Sequence, residues 1–549
     1  MKNIVKVFLF FGVFAMSSCE LDYLDSPNEV TLASADPNFL LNRIQIDFAD
    51  FFSGTSSRGG RVVRMYHQAS DTYEISHQAV NQNGTWDAYS GMLQDIKSLK
   101  LLAEPAGFRR HLGIAKTMEA YILMTLVDTF GDIPFSEALD PQNFNPKADD
   151  GKSVYSAALA LLLSAKDDFQ ATSIGTPNDY FYGNNVTKWI RLINTLQLRY
   201  FLNLRLTETA AATTAIQALI TENNFLQTGD DFVFTYGISA SDPDSRHPDF
   251  ADQFPNGGGD YQSDFYMWHL TEGKKATPGD ATDSPDPRAN YYFYRQTGTN
   301  PTLEAELRCI GEFLPAHYPI DMPWCLPGSR GYWGRDHLDP QGIPPDGLRR
   351  TLYGIYPAGH AFDNNTPGPM SSARAGHEGA GIEPIMLAAF VDFMLAEVAL
   401  ELGIGTAKTL MISGITKHIN YVRSWSLATK EGARITAFSS NTAFATKRAA
   451  YLTIVGNQFD AAATAKDRLR VIAREYWIAL YGNGNEAYNL YRRTGLPDNM
   501  QLGQIPNFGS FPRSFFYPND YVVRNNNIVQ KADHKVRVFW DNNPPNFIN

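Results

Sequence analysis

HLGIAKTMEAYILMTLVDTFGDIPFSEAL, His111–Leu139, is the stretch whose reading decides the fold. Apolar residues at Leu112, Ala115, Met118, Ile122, Leu126 and Phe130 recur every three or four positions, the period of one helix face, with further apolar groups beside them. A long core helix follows. Gly131 can take the left-handed conformation that ends a helix, and Pro134 prevents quick resumption. Asp128 and Asp132 have a plain reading, capping or solvating the turn of an αα-hairpin, and a sharper one, a paired-carboxylate catalytic site. Spacing does not separate acid from base roles, because separation in space fixes them.

Working outward, Trp86–Leu102 has the same helical period and turns into the central helix at Pro105-Ala106-Gly107. Val154–Phe169 pairs likewise with Trp189–Leu206, Ile385–Leu402 with Leu410–Trp425, and Leu469–Tyr481 with Ala487–Arg493 across Gly482-Asn483-Gly484-Asn485. A further helix from Phe39 to Phe52 is expected to stop at the Ser/Gly-rich run Ser53–Gly60, read as an exposed, flexible loop. The fold class is therefore mostly α, with tetratricopeptide-like helix pairs, although the consensus of such repeats is not legible. The pairs form a scaffold over about 39–229 and 384–496, and a loop-rich lobe covers about 230–383 and 497–549. Loops on a rigid scaffold are where binding residues concentrate.

The 549 residues are 44% hydrophobic and 13% aromatic, enough for a sizeable core. A formal net charge of -11 argues against a nucleic-acid partner. Three cysteines exclude a disulfide-dense scaffold. Lys2 and Lys6 precede an apolar run, Val7–Met16, too short to span a bilayer and laid out as a signal peptide. Met16-Ser17-Ser18-Cys19 resembles a lipobox, so residues 1–18 are expected to be removed and Cys19 lipidated, leaving the chain anchored to a membrane without crossing it.

Several stretches share an order with one family. They are DTFGDIPFSEAL at Asp128–Leu139, DSPDPR at Asp283–Arg288, GYWGRD at Gly331–Asp336, Glu383–Gly403 with Leu395–Ala399 near its end, and Ser413-Gly414-Ile415. Glu475–Pro497, Phe511–Ser514 before Tyr517-Pro518, and Val538–Asp541 continue the series. Together these resemble the SusD/RagB family, in particular its SusD-like outer-membrane lipoproteins of the SusD-like 2 type. The resemblance implies one domain over residues 19–549, an α-α superhelix with an irregular ligand-facing lobe. It implies nutrient capture at the exterior of a Gram-negative outer membrane, over a SusC-like TonB-dependent transporter that receives glycans or, in some branches, peptides. Neither catalysis nor a cofactor is implied.

A sugar-binding surface needs flat aromatic faces with a few placed polar groups. Trp268, Trp324, Tyr332 and Trp333, with Arg335 and Asp336, are the candidate platform, against core packing of each ring. The family's framework motifs transfer no binding role to these positions. Arg58, Arg61, Arg64 and His67 form a second candidate surface, against solvated arginines. Glu397, Arg492 and Arg493 read as partly buried pairs or caps. Cys309 and Cys325 are expected to pair outside the cytoplasm, closing a loop worth about 3 kcal/mol. His377-Glu378 lacks the second histidine of a zinc-protease helix, Gly381 standing there, and Gly257-Gly258-Gly259 lacks a phosphate-loop lysine. No metal or catalytic residue is assigned. A lipid-anchored glycoside hydrolase and a purely structural interaction protein are the competing readings.

Overall fold

In the computed structural model of the chain the described residues are 35–253, 261–275, 285–304, 307–325, 331–340, 350–370, 376–545 and 547–548. The leader and Cys19, the glycines at 257–259, and Asp283 and Ser284 lie outside them.

Helices dominate. The long ones are α1 (Pro37–Val62), α2 (Met92–Ala106), α3 (Arg109–Phe130), α4 (Gly151–Gln170), α5 (Val186–Leu204), α6 (Thr209–Glu222), α7 (Ala388–Glu401), α8 (Ala407–Leu427), α9 (Asn441–Ala461), α10 (Ala465–Ala479) and α11 (Gly484–Thr494). Those that follow one another in sequence pack in pairs: α2 on α3, α4 on α5, α7 on α8 and α10 on α11. The sequence marks these four pairs. It does not mark α6 and α9, whose buried stripes are only a few residues wide. Nor does it mark the strand that opens the α7 segment. Ile382–Met386 (β4) pairs antiparallel with Phe232–Thr235 (β1), Glu383 opposite Phe234, and the helix starts only at Ala388. A second short pair joins Phe293–Tyr294 (β2) to Leu352–Tyr353 (β3).

The central helix α3 is buried from His111 to Phe130 at every position except Glu119. It ends at Gly131 with φ 81°, and Asp132 Oδ1 accepts the Gly151 N–H (2.9 Å) at the start of α4. Asp128 departs from its expected role. Because α3 is enclosed on all sides, the last-turn carboxylate meets protein and not water. Oδ1 accepts from the Tyr155 hydroxyl (2.6 Å) and the Trp540 indole N–H (2.9 Å), and Oδ2 from Arg199 Nη2 (2.9 Å) and Asn489 Nδ2 (2.7 Å). Four donors on two oxygens make it a structural node.

From Asp128 a line of buried charge runs through the scaffold. Arg199 Nε lies 3.1 Å from Glu486, Glu486 lies 3.2 Å from Arg493, and Arg493 grips Glu397 with Nε (2.8 Å) and Nη2 (3.0 Å). Arg205 adds a 3.1 Å contact to Glu397. Helices α3, α5, α7 and α11 are thereby tied together. Arg492 turns elsewhere, donating to the Arg513 carbonyl (2.8 Å) with its guanidinium over the Tyr488 ring (3.7 Å).

The Ser53–Gly60 run is the largest departure from expectation. It is not a loop but the second half of α1, with Thr55, Ser56, Gly59 and Gly60 buried and Gly54 alone exposed. The cause is close packing on the start of α11. A Cβ on Gly59 would stand 2.3 Å from the Gly484 carbonyl oxygen, and one on Gly484 would stand 2.0 Å from the Ser56 carbonyl oxygen. Ser56 Oγ donates to the Gly482 carbonyl (2.9 Å) and accepts the Gly484 N–H (2.9 Å), while Asn485 Nδ2 donates to Thr55 Oγ1 (2.9 Å). Small residues serve here to bring two helices together, and that contact outweighs their weak helix propensity.

Candidate functional site

The lobe is fixed to the scaffold through α10 and the turn after it. The Tyr266 and Tyr292 hydroxyls both donate to the Ile478 carbonyl (3.0 Å each), and both rings stack on Tyr481 at centroid distances of 5.4 and 4.5 Å. Arg288 of the D-P-R element is fully buried, bonded to Asp286 (2.7 Å) and Glu475 (3.1 Å). These residues belong to the frame.

On that frame lies a strap, residues 307–325. Cys309 and Cys325 are joined in a disulfide, their Cα atoms 5.5 Å apart, and form a small core with Leu307 on which Ile310 and Trp324 pack. Cys325 has a left-handed backbone (φ 64°), held by its N–H donating to Asp336 Oδ2 (3.1 Å). Asp336 Oδ1 in turn accepts from Gln501 Nε2 (2.6 Å), which ties the strap to the C-terminal tail. The Tyr318 hydroxyl donates to Leu502 (2.6 Å), and a His317 ring nitrogen meets the Gly503 carbonyl (2.9 Å).

The six platform residues separate. Tyr332, Trp333, Arg335 and Asp336 are buried. Tyr332 lies under the Arg295 guanidinium (4.4 Å), Arg335 lies over the Tyr261 ring (4.2 Å), and Asp336 holds the strap from behind. None of the four presents a face to solvent. Trp268 and Trp324 are half-buried, on different elements. Trp268 sits on the helix Asp264–Thr271 with its ring edge-on to His269 (5.0 Å). Trp324 sits at the strap's end, edge-on to Tyr318 (5.5 Å).

From Trp324 the rings continue. Tyr318 meets His317 at 5.0 Å and His317 meets Phe508 at 6.4 Å. Phe508 borders a cavity of about 780 Å³ whose lining includes Leu502, Phe511, Arg513, Lys535 and Arg537. Arg513 is engaged by Asp541, so Lys535 and Arg537 are the exposed cations of this wall. Its apolar floor, ring edges and few polar heads, and its volume, are those that small-ligand pockets have. Phe508 and the lysine and arginine lie in an irregular tail, where no period marks them in advance. Of the second candidate surface, Arg64 and His67 are buried, and Arg64 Nε donates to Gln501 (2.9 Å). Arg58 and Arg61 line a separate pocket.

Fold and surface together define a helical-repeat scaffold that displays a loop-built lobe with an aromatic-edged cavity. Two family models match: one described as "Starch-binding associating with outer membrane" over residues 27–304, and one described as "Susd and RagB outer membrane lipoprotein" over 353–541. The chain belongs to the SusD/RagB family of outer-membrane lipoproteins. Among solved structures, a SusD/RagB family protein of Bacteroides thetaiotaomicron is similar at TM-score 0.66 and 16% identity, covering 93% of this chain and 100% of that one. A SusD homologue of Bacteroides fragilis gives TM-score 0.63 and 19% identity over 92% and 99%. A chitin-binding SusD homologue of Flavobacterium johnsoniae gives 0.57 and 19% over 92% and 100%. No curated protein matches the chain.

Proposed function

We propose that this protein captures a glycan at the cell exterior and passes it to a SusC-like TonB-dependent transporter, held at the outer membrane by lipid on Cys19. The chain after residue 18 acts as one domain, its scaffold positioning the lobe. The observation that carries the reading is the ring series from Trp324 to Phe508 at the lip of an about 780 Å³ cavity, in a chain of this family. Aromatic edges and faces take the C–H surfaces of sugars, and Lys535 and Arg537 reach hydroxyls. Neither role requires a bond to be broken, and Asp128, the carboxylate of the family-like turn, has both oxygens filled by protein donors.

The soluble form starting after Cys19 is tested against glycan and peptide arrays, with product analysis of every hit. Retention of an intact glycan is the expected result, and Trp324→Ala should weaken it about tenfold or more without loss of helicity. Intact peptides would move the ligand class, cleaved glycans would bring the hydrolase forward, and unchanged affinity in Trp324→Ala would remove the strap from the site.

A further inference from the structure

Beside the end of the short helix Tyr73–Ser76 lies a pocket of about 330 Å³, lined in part by Arg58, Arg61, Gln68, His77, Asn81 and Gln82. Its polar groups are unusual in what they leave unmade. Among the described residues Arg58 has no carboxylate partner. Its one hydrogen bond there runs from Nη1 to Thr85 Oγ1 (2.7 Å), and its guanidinium lies 5.8 Å from the Phe515 ring centre. Arg61 donates to the His67 carbonyl (3.0 Å) from the same wall. Gln82 is 0% exposed, yet neither its amide nitrogen nor its amide oxygen has a partner among the described residues. The same is true of His77 Nε2 and Gln68 Oε1. Buried polar atoms are normally satisfied, so a pocket walled by open ones points to a ligand that completes them.

The sign of the field says which ligand. The charged neighbours of His77 are Arg58 and Arg61, both basic, and burial first, then these cations, push the imidazole well below its ordinary value. Burial also lowers Arg58, to about 10, without bringing it near losing its proton at neutral pH. A half-buried guanidinium without a carboxylate partner among the described residues, next to amide and imidazole groups, is matched by an oxyanion. Arg is suited to a planar one because two N–H groups fork onto two oxygens. The volume admits one sugar ring and little more, at the low end for ligand pockets.

We propose that this pocket binds the carboxylate of an acidic sugar, Arg58 pairing with the carboxylate while the Gln82 amide and His77 Nε2 complete its hydrogen bonds. The site is separate from the ring series on the strap; the choice of a sugar as the bearer of the carboxylate rests on the glycan-capture reading. It implies that the glycans this chain accepts include uronic acids.

The test uses the soluble form starting after Cys19, titrated by NMR or calorimetry with glucuronate, glucose, inorganic sulfate and glucose 6-sulfate. Saturable glucuronate binding with none for glucose is expected, weakened roughly ten- to hundredfold in Arg58→Met, the loss typical of a charge-assisted pair. Gln82→Leu, which keeps every charge, should weaken it by a smaller factor, and Trp324→Ala should leave it unchanged, so failure of the strap reading and of this one are told apart. Matching circular dichroism and melting points show that the variants are folded. Equal binding of glucose, tighter binding of the sulfates than of glucuronate, affinity unchanged in both pocket variants, or no saturation up to roughly 50 mM would each overturn the proposal.

Discussion

Two regions of this protein bury several charges in contact, and they do so in opposite ways. In the scaffold, carboxylates and guanidinia alternate from Asp128 through Arg199, Glu486 and Arg493 to Glu397, so every carboxylate touches an arginine. In the lobe, Asp264, Asp336 and Asp339 crowd beside Arg335, and Asp264 keeps one oxygen without a partner among the described residues. Burial raises Asp264 well above the ordinary carboxylate range, and the neighbouring Asp336 raises it further. In Glu397 the balance goes the other way: burial raises it, but Arg493 and Arg205 together bring it below the ordinary value. Alternation makes a brace for helices. Crowding makes a joint whose charge state depends on pH, and it sits directly behind the strap that carries Trp324.

The largest effect should come from breaking the alternation. Glu397→Ala takes from Arg493 its two-point carboxylate, leaving it Glu486 (3.2 Å), and leaves Arg205 with Glu401 at 3.6 Å. Removal of one partner from a buried pair costs about 3–5 kcal/mol, and the loss here should lie toward the lower end of that range. Chemical denaturation should show that loss as a lower midpoint. A loss below 1 kcal/mol would mean that the line of charge is not a brace. Replacing Glu397 and Arg493 together by leucine and methionine should cost less than Glu397→Ala alone, because the stranded charge is reduced.

A smaller and local effect is expected from opening the strap. Cys309 and Cys325 are 16 positions apart, and a closure of that size contributes about 3 kcal/mol against the open chain. The strap has its own small core, set apart from the main one, so that contribution is confined to it. Cys309→Ser with Cys325→Ser should therefore speed hydrogen exchange in residues 307–325 and weaken glycan retention, while α3 and α11 keep their protection. Loss of protection across the helices would show that the strap is part of the global unit.

The helix pairs were legible because each combines an apolar period with a Gly- or Pro-marked turn, both local signals. What was not legible depends on partners far along the chain. Ser53–Gly60 has a loop's composition, and only its contact with Gly482 and Gly484, 426 and 428 positions from Ser56, makes it helix. Tyr332, Trp333, Arg335 and Asp336 have a binding site's composition, since aromatic and charged residues crowd both sites and polar cores. What buries them is again remote, Gln501 reaching Asp336 across 165 positions. The wall around Phe508 was invisible for the converse reason. It is a surface assembled from turns of the tail, with no periodicity to announce it.

The finest test of the comparison is its pH dependence. Asp264 has a folded-state pKa above its unfolded one, so the folded chain holds that proton more tightly. Below about pH 4 both states carry it and nothing is lost; as pH rises the unfolded chain releases it first, and stability falls until the folded carboxyl also ionises. Buried His418, His337 and His77 act in the opposite sense, because burial lowers each of them and the folded chain resists their charging. Their contribution raises stability up to about pH 6.5 and is constant above it. Asp264→Asn keeps the shape and an acceptor for the Gly334 N–H (2.6 Å in the parent) but removes the charge. The histidine contribution cancels when the two proteins are subtracted, so denaturant midpoints measured from about pH 4 to 8.5 should show the variant gaining on the parent as pH rises. A flat difference would mean that the crowded carboxylates find enough compensation in Arg335 and the backbone, and that the lobe is braced as evenly as the helices.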